Sequence, residues 1–505
     1  MRVLFIDIDT LRPDHMGCYG YGRNTTPNID AVCAQGARFD NYYCADAPCL
    51  PSRASLVSGM FGIRHGAVGH GGTAADKKLY GPERNFTDQV DKNNLFWLFR
   101  NAGMKTASVS TFGERHSSHW FTAGLNEVYN VGKGGMESGE EVLPVALDWL
   151  QRNGAADDWF LHVHFWDPHT PYRAPKEFAG VFDSAPLDTW ITEEIFKEHL
   201  KHVGPHSANE IGMYDDNVNP KFPRHPGRLY EYSDVKKLID GYDAGVYYSD
   251  LLVGRIIDFT KGLGIYDDLC VIVTSDHGEN IGELGIYSEH ATADHGTCRI
   301  PLIVKWAGGR PGAVFNGLQC NVDLAPTVAE LLGAKPDANW DGVSFAGAIT
   351  GGAVDCGAGC AGRPSVVISQ MAHVCQRSAR FGDWLYVRTY HDGYHLFDGE
   401  MLFNVKDDPY EQRDLKSERP DLCEKGAKII LDWHDEMMMK SSRPCGANKP
   451  GGAISPGGPV ATDPLWTVLG EGGPFHARGH LDAYLKRLRE TGRADGAAKL
   501  EAKYK

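Results

Sequence analysis

Five short apolar runs, each set against a segment of helical period, constrain this chain more than any other feature. RVLFID (2–7), KTASVS (105–110), WFLHVHF (159–165), LCVIVTS (269–275) and RIPLIVKW (299–306) read as strands. NNLFWLFRNAG precedes the second, VLPVALDWLQRNG the third and DAGVYYSDLLVGRIIDFTKGLG the fourth, while NVDLAPTVAELLG follows the fifth. Runs that lack polar alternation suit strands buried on both faces, and alternation with helices makes the sheet largely parallel. The expected fold class is therefore α/β: a large, mostly parallel sheet between helical layers. At 505 residues the chain can hold one large domain and a smaller one.

Polar residues gather where these strands stop. Asp9 and Thr10 follow the first; Thr111, Glu114, Arg115, His116 and His119 follow the second. Asp167 and His169 follow the third, and Asp276 and His277 the fourth. Ligands of open α/β sheets bind beyond the carboxyl ends of the strands, so four such ends delivering carboxylates, imidazoles and hydroxyls predict one site. A single strand-end carboxylate would ordinarily cap the next helix. Asp9, Asp276 and His277 together read as ligands of one divalent cation. Their oxygens suit Ca²⁺ or Mg²⁺, and the imidazole tilts the set toward Mn²⁺ or Zn²⁺. Asp7, one alternation before Asp9, belongs to the same neighbourhood.

The formal charge of -15 argues against broad nucleic-acid or anionic-membrane binding, so an anionic substrate needs a locally cationic pocket. MRVLFIDID lacks the apolar core and cleavage site of a signal peptide, and no stretch approaches the ~18–20 apolar residues of a membrane span. Twelve cysteines lie scattered without framework spacing, as in a reducing compartment. Cys356 and Cys360, in CGAGC, read as part of a Gly/Ala loop. The expectation is a cytoplasmic protein.

Cys49-Leu50-Pro51-Ser52-Arg53 sets a thiol, a helix-starting proline, a hydroxyl and a guanidinium within one turn. Pro51 suits the first helical position, which puts Cys49 just before a helix N-terminus where unpaired N–H groups favour an anion. Arg53 can pair with that anion or hold the nucleophile. Taken alone, the pentapeptide is equally a structural cysteine beside a surface arginine.

The pentapeptide resembles the signature of the type I sulfatases, whose cysteine is converted to formylglycine, within the alkaline phosphatase-like superfamily. The resemblance extends through FIDIDTLRPDHMGCYGYGRNTTPNID, WDPHTPYRAP, VTSDHGE, RIPLIVKW and LFNVKDDPYEQRDL, in family order over roughly residues 2–415. It implies an α/β/α sandwich with a small C-terminal α+β domain and an enzyme that cleaves a sulfate monoester, of a sulfated carbohydrate or an aryl sulfate. Asp9, Thr10, Cys49, Asp276 and His277 inherit places around one cation, Ca²⁺ first and Mg²⁺ or Mn²⁺ after it. Cys49, Arg53, His169 and His290 inherit the catalytic roles, Arg53 by positioning. The implied partners are a small anionic sulfate ester and a formylglycine-generating maturation enzyme, with a homo-oligomer compatible and no nucleic acid or membrane.

Departures from the family pattern matter as much. Thr10 replaces a second Asp, and His277 replaces an Asn. The strand-end Lys-x-His falls on Thr111 and Gly113, leaving Arg115, His116 and His119 to supply positive charge toward the substrate. His290 takes the place of a second lysine. Thr111 and His277 are similar to the phosphonate monoester hydrolases and phosphodiesterases of the superfamily, where an Asn stands at the position of His70. That second ester class is the alternative; a non-catalytic anion- or metal-binding relative is a third reading, which the intact CLPSR and both metal segments oppose.

The expected domains are residues 1–362 for catalysis, 363–440 for a small antiparallel sheet with a helix, and 441–505 for a Pro/Gly-rich linker and helical extension. The loop GEGGPFHARGH reads first as surface or oligomer contact; His476 and Arg478 are the groups it could lend to a pocket.

Overall fold

The computed structural model describes residues 1–79, 91–222, 224–351, 362–442 and 461–505. Cys356 and Cys360 and nearly all of the Pro/Gly-rich linker lie outside them. The strands, in chain order, are β1 (Arg2–Ile8), β2 (Ala37–Tyr43), β3 (Asp46–Ala47), β4 (Lys105–Val109), β5 (Glu127–Tyr129), β6 (Trp159–Phe165), β7 (Leu269–Thr274), β8 (Asn280–Ile281), β9 (Tyr287–Glu289), β10 (Leu302–Lys305), β11 (Ala313–Cys320), β12 (Ser365–Gln370), β13 (Cys375–Phe381), β14 (Trp384–His391) and β15 (Glu400–Asn404).

Eight of them form the main sheet, in the order β11-β2-β10-β7-β1-β6-β4-β5. Every pairing in it is parallel except the two made by β10. The RIPLIVKW strand is thus the antiparallel member, and it is shorter than its apolar run. β2, β5 and β11 escape a reading of apolar runs because polar residues interrupt them. Their partial exposure fits strands far from the sheet centre.

β1 shows how the sheet builds a site. Val3 and Phe5 pack into one apolar cluster, while Leu4, Ile6 and Ile8 pack into the other, on the opposite face. All five are at most 1 % exposed, and each contributes about 1.5–3 kcal/mol. The period of two carries Asp7 and Asp9 onto the Val3/Phe5 face. That face is covered by α2 (Cys49–Ser58), the helix after α1 (Pro27–Cys33), whose Cys49, Leu50, Ala54 and Val57 join the same cluster. The other face receives the long helix Ser233–Gly262. α2 ends at Gly59, whose φ of 65° and contact with the Trp340 ring exclude a side chain.

The second sheet runs β15-β14-β13-β12-β3. β3, which ends two residues before Cys49, pairs parallel with β12, so the small sheet is joined directly to the helix that carries Cys49. Helix Pro420–Ser441 packs against this sheet through Cys423 and Ile430. The C-terminal helices Leu481–Glu490 and Ala494–Tyr504 bury Tyr484, Leu485, Leu488, Ala497 and Leu500 against Val203 and Tyr394. Arg487 and Arg493 close on buried Glu210, fastening this segment to the body. Among the described residues, no helix is long and apolar enough to cross a membrane, and the nine cysteines are all free.

Candidate active site

α2 begins at Cys49 itself, with Pro48 as N-cap and Pro51 in the first turn, so the thiol is part of the helix rather than ahead of it. Cys49 is 1 % exposed, with Sγ 3.4 Å from His70 Nε2 and 3.6 Å from His116 Nε2. Burial, then Asp9 and Asp276, push its thiol well up, so this sulfur is a neutral SH. Ser52 donates to the Asp276 carbonyl at 2.6 Å and Asn321 to the Ser52 carbonyl at 3.1 Å, which locks α2 to the end of β7.

Arg53 is the opposite of a surface arginine. Its side chain is 0 % exposed, and three carboxylates surround it: Asp7 Oδ2 at 3.1 Å, Asp9 Oδ2 at 3.1 Å and Asp276 Oδ2 at 3.3 Å. It also donates to His164 Nε2 at 2.6 Å, which fixes the single ring proton of His164 on Nδ1, donated to Ser110 Oγ at 3.0 Å. His162 repeats the pattern one alternation earlier, between Asp7 and Ser108. Burial opposes the charge on Asp7, but Arg53 and His162 hold its carboxyl below the usual range. His162 and His164 are missed by a search at strand ends. Their signal is in the sequence nonetheless: two imidazoles at period two in an otherwise apolar strand, with His164 opposite Asp7.

Three carboxylates against one guanidinium leave a formal charge of −2 in a buried space, which is costly unless a cation neutralises it. Of the acceptor atoms there, Asp9 Oδ1, Thr10 Oγ1 and His277 Nε2 have no hydrogen-bond partner, and Asp276 Oδ2 has only the Arg53 guanidinium, at 3.3 Å. His277 Nδ1 bonds the Gly278 carbonyl at 2.9 Å, so its proton sits there and Nε2 is a free lone pair. That lone pair lies 3.3 Å from Asp276 Oδ2 and 3.9 Å from Asp9 Oδ1. Donor atoms of Cys49, Asp276 and His277 fall within 4.8 Å of one another. Charge, convergence and unspent lone pairs all fit a divalent cation. Asp7 stands apart from this set, both of its oxygens being engaged by Arg53.

His169 closes the site from β6, its Nε2 4.0 Å from Asp9 Oδ1 and its ring 5.2 Å from His290. His290 packs on His277 at 4.2 Å between ring centroids. Burial would lower His290, but Glu289, at 2.9 Å, and Glu279 overcome it and hold the imidazole up at about 10. His290 is therefore a cation at neutral pH, as the lysine it replaces would be. Burial, then Arg115 and Arg53, push His116 down to about 3, so it is neutral.

Two expected substrate contacts are not in this cluster. The Thr111 hydroxyl is committed to the Glu137 carboxylate and to Gly135 N–H, which makes it an anchor for the 135–137 loop. His119 is exposed, at the start of a short helical turn facing another cleft. Arg115 lies at the rim, its guanidinium 5.1 Å from the Trp166 ring that also touches His169. His476, on the C-terminal segment, is brought in: its Nε2 is 3.3 Å from His70 Nδ1, one imidazole away from Cys49. Arg478 instead pairs with Glu471 at 2.7 Å.

The sulfatase family model matches residues 2–334 of the chain. A choline-sulfatase of Rhizobium meliloti is 26 % identical over 433 residues, which is 77 % of either chain. A multifunctional alkaline phosphatase superfamily protein of Trinickia caryophylli is 25 % identical over 68 % of this chain and 76 % of its own. Among solved structures, a phosphonate monoester hydrolase of Agrobacterium radiobacter superposes with a TM-score of 0.63 at 18 % identity, covering 86 % of this chain and 96 % of that one. A 2-O GAG sulfatase gives 0.65 at 18 % identity, over 91 % and 98 %. The architecture is that of the alkaline phosphatase-like superfamily, and this chain is an enzyme of the sulfatase family.

Proposed function

We propose that the enzyme hydrolyses a sulfate monoester of a sulfated carbohydrate or aryl sulfate, with Cys49 matured to formylglycine and one divalent cation held by Asp9, Asp276 and His277. The observation that carries this reading is the convergence beside Cys49 of Asp276 with three buried acceptors that lack a hydrogen-bond partner, Asp9 Oδ1, Thr10 Oγ1 and His277 Nε2. Oxygens dominate the donors, which favours Ca²⁺; the His277 imidazole leaves Mg²⁺ and Mn²⁺ as alternatives, and Thr10 is an outer, neutral donor. The cation would supply Lewis-acid polarisation of the ester oxygens. The hydrated aldehyde would supply one hydroxyl for attack and a second to expel sulfate. Maturation then needs an external enzyme that acts on CLPSR before it is buried.

The chain's own residues do the rest. Arg53, clamped by three carboxylates, fixes the helix turn that carries residue 49, a positioning role. His290, charged, holds a sulfate oxygen, and the buried His169 beside it lies within reach of the leaving oxygen. His70, His116 and Arg115 line the leaving-group side, whereas Thr111 and His119 do not touch the reacting ester.

A phosphonate monoester or phosphodiester is the second reading, favoured by the Asp-His pair at 276–277 and by the lack of a lysine at Thr111. Initial rates on nitrophenyl sulfate, phenylphosphonate and bis-nitrophenyl phosphate, followed by a sulfated-sugar panel, decide between them. The sulfate should be cleaved fastest. A preference for the phosphorus esters by orders of magnitude would reverse the order of the two readings. Peptide mass spectra of active enzyme should show residue 49 as the aldehyde; thiol alone in fully active protein removes the mechanism.

A further inference from the structure

Behind His290 lies a second cluster of donors that the proposed cation position beside Cys49 does not use. His206, Glu289 and His373 are all buried, and one donor atom of each lies within 4.8 Å of the others. His206 Nε2 is 3.3 Å from Glu289 Oε2, and His373 Nε2 is 3.8 Å from Glu289 Oε1. We infer that these three residues form a second metal site, for a divalent transition ion of the Zn²⁺ type, distinct from the cation position beside Cys49.

His206 Nδ1 lies 3.0 Å from the Ile211 carbonyl, which can only accept, so the imidazole proton sits on Nδ1. His206 Nε2 is then a bare lone pair, buried and without a hydrogen-bond partner, aimed at a carboxylate oxygen. Two acceptors face each other at 3.3 Å with nothing between them to donate. Glu289 Oε1 already has its cation, His290, at 2.9 Å. An imidazole held by a carbonyl with its second nitrogen exposed to a carboxylate is the arrangement of a metal-ligating histidine. Tetrahedral bonds of about 2.1 Å set neighbouring ligand atoms about 3.4 Å apart, which the His206–Glu289 separation of 3.3 Å matches, with His373 farther out in a cluster that spans at most 4.8 Å. Two imidazoles and one carboxylate suit Zn²⁺ and disfavour Ca²⁺ and Mg²⁺, which want oxygen shells.

The scaffold is built for such a site. His206 is held by backbone bonds to Met213 and Tyr287, and Glu289 ends β9. His373 sits in the β12–β13 turn, its N–H bonded to Gln370, whose amide reaches the His290 carbonyl. His476 stacks on His373 at 4.2 Å. An ion here ties three remote segments together and fixes Glu289, and through it His290. The inference does not depend on which ester the enzyme cleaves.

Full-length enzyme held in excess Ca²⁺ and then given Zn²⁺ provides the test. Three proteins are compared: wild type, the Asp9→Ala/Asp276→Ala variant and the His206→Ala/His373→Ala variant. The first two should each retain one equivalent of Zn²⁺ after dialysis, and the third should lose it. X-ray absorption at the zinc edge should show two imidazoles with oxygen and no sulfur, whereas three imidazoles would place the ion on His70, His373 and His476 and overturn the inference. A shell with one imidazole or with sulfur would assign the zinc to His277 and Cys49 and overturn the inference, as would absence of bound Zn²⁺ from wild type. The spectrum of wild type decides even if the histidine variant does not fold, and Glu289→Gln, a near-isosteric change, should also release the ion.

Discussion

The Arg53 guanidinium reaches one oxygen of Asp9 at 3.1 Å and leaves the other without a partner. One carboxylate thereby serves two ends: it anchors the helix that carries Cys49, and it offers a lone pair to a cation. The two demands are separable by mutation. Arg53→Ala strands three buried carboxylates and should destabilise the fold by about 3–5 kcal/mol. Arg53→Lys keeps the charge but not the planar fork, and should lower kcat more than stability. Thermal unfolding alongside kcat checks both; an Arg53→Lys enzyme with wild-type turnover would show that the clamp does not position residue 49.

Asp9→Ala and Asp276→Ala each remove a carboxylate from the proposed cation position and one unit of the buried negative charge. Activity should fall by orders of magnitude, with partial rescue by excess divalent metal. Chelated enzyme should lose activity and regain it with Ca²⁺, Mg²⁺ or Mn²⁺ in an order that identifies the native ion. Full turnover by protein shown to be metal-free would end the metal assignment.

Arg115 and His119 stand four residues apart yet should behave differently. Arg115→Ala removes a cation stacked over Trp166 at the rim and should raise KM, with a smaller change in kcat. His119→Ala should leave both constants unchanged, since the side chain is exposed and away from Cys49. Steady-state kinetics on the preferred ester separate the two; equal effects would mean that the loop moves when substrate binds.

Asp46, beside the helix that carries Cys49, gives the stability a pH dependence. Burial pushes its carboxyl from 3.8 up to about 6, although Gly62 N–H and Ser55 Oγ each donate to it at 2.8 Å. The folded state therefore binds this proton more tightly than the unfolded chain does. The contribution is full below about pH 4 and fades as pH rises through about 6, in all about 3 kcal/mol. Asp46→Asn should be flat over that window, so its stability relative to wild type should rise between pH 4 and 7. Urea unfolding of both proteins at the two ends checks this, and a constant difference would refute it.

The sequence by itself determined the α/β class and which strand ends gather polar side chains. Those readings rest on local rules: apolar runs, the period of two, and polar residues where β1, β4, β6 and β7 stop. Asp9, His169, Asp276 and His277 were legible on that basis, whereas Cys49 was singled out by the CLPSR pentapeptide and His290 by the family resemblance alone. Only the tertiary structure decided that Arg53 is the buried hub of three carboxylates, because Asp7 and Asp276 meet it through sheet register and helix packing across separations of 46 and 223 residues. It also spent Thr111 on Glu137, turned β10 antiparallel, and drew His476 from the C-terminal segment to within one imidazole of Cys49. His206, Glu289 and His373 carry no spacing that links them. Proximity between such residues arises from chain reversal and packing, which no local pattern encodes.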